Sequence, residues 1–135
     1  MKKLILTFIA FTMFLCLHAQ TSEYAPQMST STIYNKDAKY LLFPTKNIYI
    51  FLKLDTSTGE LWMVQYSTGK DSPMEVKFPS WSYPLVTNED KSNGRFFLYP
   101  TQNMYNFLLI DQIDGRVWQA QWSTKPENVG IIRIR

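Results

Sequence analysis

Cysteine and histidine are almost missing from this chain, because Cys16 and His18 are the only ones among its 135 residues. Both fall in an N-terminal stretch that reads as a targeting segment. Met1-Lys2-Lys3 is basic, and residues 4–17 are apolar apart from Thr7, Thr12 and the compact Cys16. Such a run is shorter than the roughly 20 residues that span a bilayer, but it has the size of a signal-peptide core. Cleavage is expected after Ala19, so the mature chain begins at Gln20 and is exported, to the periplasm or the medium, with no membrane insertion afterwards. Two other readings give an uncleaved anchor or a lipid anchor on Cys16. The second is disfavoured by Leu15, since a small residue normally precedes a lipidated cysteine.

Removal of residues 1–19 leaves a chain with neither Cys nor His, and this excludes several chemistries. A Ser-His-Asp or Cys-His site cannot form, nor can a zinc site built on His or Cys. No disulfide can brace the fold, which must rely on its apolar core. The five glycines are isolated, so no phosphate-cradling loop is present. Of the 14 basic residues two, Lys2 and Lys3, leave with the signal segment, so 12 face 11 acidic ones. That near balance gives no footprint for nucleic acid or an anionic membrane. No cofactor and no metal are expected.

What the sequence does contain is an internal duplication. Residues 39–69 (KYLLFPTKNIYIFLKLDTSTGELWMVQYSTG) return without a gap at 95–125 (RFFLYPTQNMYNFLLIDQIDGRVWQAQWSTK). Thirteen of the 31 pairs are identical, where about two are expected by chance. The shared residues include Pro44/Pro100, Asn47/Asn103, Asp55/Asp111, Gly59/Gly115, Trp62/Trp118 and Gln65/Gln121.

Each copy reads as a four-stranded meander. In the first, a short strand at 40–43 stops at Pro44, which has no N–H to pair. A turn carrying Asn47 leads to a strand at 48–54, rich in β-branched and aromatic residues and expected to be buried on much of both faces. Residues 55–59 form a hairpin loop in which Asp55 accepts backbone N–H groups and Gly59 takes the left-handed conformation. The returning strand alternates Trp62, Val64 and Tyr66 with Leu61, Met63, Gln65 and Ser67, and the aromatic face is expected in the core of both copies. Trp62, Trp118, Tyr49 and Phe51 are all assigned to that core. Fourth strands are expected at 75–78 and 131–134. The organisation is thus a signal peptide at 1–19, a flexible leader at 20–38, β repeat 1 at 39–79, a connector at 80–94 and β repeat 2 at 95–135. Residues 31–35 have the makings of an extra strand. An all-β domain follows, with the repeats packed as a pseudo-twofold sandwich or barrel that covers their open faces and edges.

The segment LDTSTGELW at 54–62 resembles the strand, D-x-x-T-G turn and Trp strand in blades of quinoprotein-type β-propellers. It covers about nine residues of each copy, and the second copy departs from it with Asp114 where the Thr would stand. A propeller needs at least four blades, so the resemblance implies the hairpin alone. Over its whole length the chain is similar to small exported bacterial proteins built on tandem F-P-T-x-N-x-Y-x-F-L-x-L-D-x-x-T-G-x-x-W-x-x-Q units, a resemblance that implies no activity.

Candidate functional residues are few. Asp55 and Asp111 would be the pair for a carboxylate hydrolase, but a turn role accounts for both. Asp111 with Asp114 falls short of a calcium loop. Gln65 and Gln121 are expected on an outer sheet face, where amides beside rings suit sugar hydroxyls or a partner's backbone; a cross-strand hydrogen bond to Asn47, Ser67 or its copy is the simpler account of them. Trp81 and Tyr83, outside the repeat, are either an exposed contact patch or a cap on one end of the sandwich. The expectation is a non-catalytic exported binding protein with a protein partner, such as an envelope inhibitor or immunity-type protein. A carbohydrate-binding module is the alternative, and a carboxylate-based hydrolase the third reading.

Overall fold

A computed structural model describes residues 35, 37–67 and 72–135; the signal peptide, all of the leader but 35, 37 and 38, and the extra strand proposed at 31–35 (its last residue aside) lie outside them. The described chain is all-β. Strands β1 (Tyr40–Pro44), β2 (Ile50–Asp55), β3 (Leu61–Gln65) and β4 (Met74–Val76) form one antiparallel meander. Strands β5 (Phe96–Pro100), β6 (Asn106–Asp111), β7 (Val117–Gln121) and β8 (Gly130–Arg133) form a second. Among the described residues the two sheets share no strand pairing, so they do not close into one barrel, and one buried apolar cluster spans both as in a sandwich.

Five of the thirteen identical pairs are turn chemistry. In the turn after β1, Thr45 Oγ1 donates to the carbonyls of Asn47 and Ile50, and Asn47 Oδ1 accepts the N–H of Tyr49 at 2.9 Å. Thr101, Asn103 and Tyr105 repeat this, with the same 2.9 Å bond. In the β2–β3 hairpin, Asp55 Oδ1 accepts the Ser57 N–H at 2.9 Å, and Gly59, at φ +79°, donates to the Asp55 carbonyl. Asp111 and Gly115, at φ +77°, do the same in β6–β7. Only glycine takes that conformation without steric cost.

The two sheets bury opposite faces of the repeated unit. The first turns Phe43, Ile50, Leu52, Leu54, Leu61 and Met63 inward, which the strand register puts on one face. The second turns inward Phe96, Leu98, Phe107, Leu109, Trp118 and Ala120. The copies of this second set in the first sheet are Tyr40, Leu42, Phe51, Lys53, Trp62 and Val64, and all of these lie on its outer face. A pseudo-twofold pairing would bury the same face twice, so the relation between the sheets is head to tail. It also corrects the aromatic-core expectation for the first copy. Trp118 is buried as expected, whereas Trp62 and Phe51 are half-buried on the outer face and Tyr49 is exposed.

One apolar cluster joins the layers, with Phe78 added from the end of the first repeat and Trp81 from the connector. Backbone bonds fix the hairpin of the first sheet to the chain beyond it: Phe96 N–H to Thr56 O and Leu85 N–H to Thr58 O, both 2.8 Å. At the other end Lys46 Nζ donates to the carbonyl of Gln102, its own repeat counterpart.

Candidate functional site

The outer face of the first sheet is an apolar surface left open by this packing. Period-two alternation places Tyr40 and Leu42 on β1, Phe51 and Lys53 on β2, and Trp62 and Val64 on β3 side by side. Tyr66 extends the row, its ring centre 6.1 Å from that of Phe51. Tyr40, Leu42 and Tyr66 are exposed, and the remainder are half-buried. Two ammonium groups lie over the ring of Trp62, Lys53 Nζ at 4.6 Å and Lys77 Nζ at 4.4 Å from its centre. Lys53 is in turn ion-paired with Glu75 on β4, and Lys77 with Glu60. Such exposed pairs add little stability, but they hold the two cations over the indole, whose face attracts positive charge.

A second feature lies past β7. Residues Tyr105, Gln121, Trp122, Ser123, Thr124, Lys125 and Asn128 line an open cleft of ≈ 310 Å³. Gln121 Nε2 donates to the Asn128 carbonyl at 2.8 Å, and Trp122 Nε1–H donates to the Met104 carbonyl at 2.8 Å. The cleft therefore has a ring floor and an anchored amide on its wall.

The residues singled out from sequence are dispersed. Gln121 lies at this cleft, while Gln65 stands on the inner-face side of the first sheet, half-buried in register with Ile50 and Met74. They point to opposite sides of their sheets relative to the core, for the same reason that the tryptophans do. Trp81 is buried at 2 % exposure, sits in a 3₁₀ turn (Pro79–Trp81), packs edge-on against Phe78 and donates its Nε1–H to Gly130 O at 3.2 Å. It caps the core and ties the connector to β8. Tyr83, two residues on, is 74 % exposed.

The turn aspartates hold their own hairpins. Asp111 has no solvent exposure; Arg95 Nε lies 2.9 Å from one carboxylate oxygen and 3.0 Å from the other, and Arg116 adds a contact at 3.2 Å. Asp55 is buried too, its Oδ1 also accepting the Ser57 hydroxyl at 2.6 Å. Burial raises the Asp114 carboxyl, but hydrogen bonds from the Arg116 backbone and guanidinium, with its positive charge, outweigh this and hold it below the usual carboxylate range. Among the described residues, no three metal-ligating side chains come together, and every buried side-chain nitrogen or oxygen has a hydrogen-bond partner.

The outer aromatic face was missed because sequence reasoning weighed the identities between the copies and not their differences. Exposed Tyr40, Tyr66 and Tyr99 stand where the other copy has buried Phe96, Trp122 and Phe43. That exchange of hydroxyl-bearing for plain or larger rings marks which face of each sheet meets water. No protein-family model, no curated protein and no solved structure matches the chain.

Proposed function

We propose that this protein is a non-catalytic binding module, exported to the cell envelope or beyond, that holds a protein partner on the outer face of its first sheet. The observation that carries this is the continuous row of Tyr40, Leu42, Phe51, Trp62, Val64 and Tyr66, with two cations over the indole. Clustered Trp and Tyr rings are the composition of protein-binding hot spots, and a polar rim surrounds them. An envelope inhibitor or immunity-type role fits a small module of this kind. The turn aspartates support the non-catalytic reading, because a hydrolase needs two carboxylates facing substrate, and Asp55 and Asp111 are buried in separate hairpins.

A glycan is the second reading, favoured by the cleft in which Tyr105 and Trp122 lie beside the amides of Gln121 and Asn128. The two readings separate in one experiment. The immobilised protein is used to recover a partner from an envelope extract of its host, alongside Trp62→Ala/Tyr66→Ala and Gln121→Ala variants. A stoichiometric protein lost with the first variant and kept with the second supports the proposal. Retention unchanged by the first variant contradicts it, and binding to polysaccharide that is lost on Gln121→Ala favours the glycan reading.

A further inference from the structure

The two open faces of this chain are repeat copies of its two closed ones. Within the chain, the inner face of the first sheet meets the inner face of the second, and these are opposite faces of one unit. The outer face of the first sheet thus corresponds to the inner face of the second, and the outer face of the second to the inner face of the first. The exception is Phe97, on the second outer face by alternation, which already packs edge-on against Phe43 within the chain, ring centres 5.2 Å apart. Leu42 stands where Leu98 is buried, and exposed Leu108 stands where Leu52 is buried. Contact between unlike faces does not use up the binding capacity of a molecule. Each added copy covers one face and presents another, so the contact grows into a ring where the rotation closes and into an open chain where it does not.

We propose that the outer face of the first sheet docks on the outer face of the second sheet of another copy of this chain, repeating the intrachain contact between molecules. The proposal rests on the binding reading above, since it uses the same face, and it names the partner. Side-chain chemistry sets its strength. Lys53 replaces Leu109 on one open face, and Asn106 and Gln119 replace Ile50 and Met63 on the other. The polar groups are already paired within each chain, Lys53 with Glu75, and Gln119 Nε2 with Asn106 Oδ1 at 2.8 Å. Aliphatic and tyrosine contacts can therefore form around them without stranding a buried charge. An interface of this mixed composition is reversible, unlike a domain core cut in half.

Sedimentation velocity of the purified protein, from micromolar to millimolar, tests this together with Leu42→Glu and Leu108→Glu. The wild type is expected to gain mass with concentration. Each variant keeps only one working face, so it remains a single chain by itself, yet an equimolar mixture of the two forms a two-chain complex and nothing larger. Only unlike faces give that complementation. Near-ultraviolet circular dichroism confirms that each variant is folded; should either fail, Tyr40→Lys and Ile132→Lys, at exposed positions of the same two faces, replace them in the same measurement. A wild type that stays single at millimolar concentration, or folded variants that do not complement, overturns the proposal. If such a single chain still holds a foreign protein that Trp62→Ala releases, self-assembly falls and the binding reading stands. Complementation without any foreign partner supports self-assembly and removes the foreign-protein reading.

Discussion

Leu52 and Leu108 fill the same position of a duplicated unit, and one has no solvent exposure while the other is 38 % exposed. The difference arises because the first sheet packs with the face that the second sheet leaves open. Truncation reads this directly. Leu52→Ala is expected to cost about 3 kcal/mol, the usual loss for a buried leucine, and Leu108→Ala less than about 1 kcal/mol. Urea unfolding of the two variants measures the gap, and equal losses would contradict the assignment of faces.

Arg95 and Lys39 are also repeat counterparts, but only Arg95 reaches into its hairpin, with Nε on both oxygens of the fully buried Asp111. Removing it strands a carboxylate that Arg116 compensates in part. Arg95→Ala is expected to destabilise by roughly 3 kcal/mol, and Lys39→Ala by no more than about 0.5 kcal/mol. The midpoint of thermal unfolding separates the two.

Gly59 and Gly115 share a left-handed conformation, yet their surroundings differ. A Cβ on Gly59 would lie 2.8 Å from Leu85 Cδ1 and 3.1 Å from Phe96 Cδ1, whereas one on Gly115 meets nothing within 4 Å. Gly115→Ala is expected to cost about 1 kcal/mol from backbone strain alone, and Gly59→Ala about 1 kcal/mol more, since the Leu85 tip can yield in part. Denaturant midpoints check the order, and a larger loss at Gly115 would be inconsistent with this packing.

Trp81 and Tyr83 separate in the same way, although both are aromatic and two residues apart. Trp81→Ala removes a buried indole and the hydrogen bond to Gly130, so a loss of about 4 kcal/mol is expected. Tyr83→Ala, at an exposed site, should stay within about 0.5 kcal/mol. Calorimetry of both variants tests the contrast.

The order of strands, both hairpins and the Pro-Thr-x-Asn turns were legible in the sequence because they depend on local chemistry. Pro44 ends a strand, Asn47 caps a turn and Gly59 turns the chain wherever they stand. The packing was not legible from the identities, because alternation tells which residues share a face and not which face is covered. Trp62 and Trp118 are identical residues at matching positions, and tertiary contact alone decides that the first is half-buried and the second buried. The differences between copies did carry the answer, in Tyr40 for Phe96, Tyr99 for Phe43 and Lys53 for Leu109. Trp81 was ambiguous for another reason: its burial depends on Gly130, 49 residues away.

Hydroxyl-radical footprinting of the folded protein, read by mass spectrometry at a dilution that keeps it as single chains, tests the head-to-tail packing most directly. The pairs to compare are Tyr40 with Phe96, Leu42 with Leu98, Tyr99 with Phe43 and Leu108 with Leu52. The account predicts that the first residue of every pair is oxidised and the second protected. Equal labelling within the pairs, as a twofold sandwich would give, would contradict it.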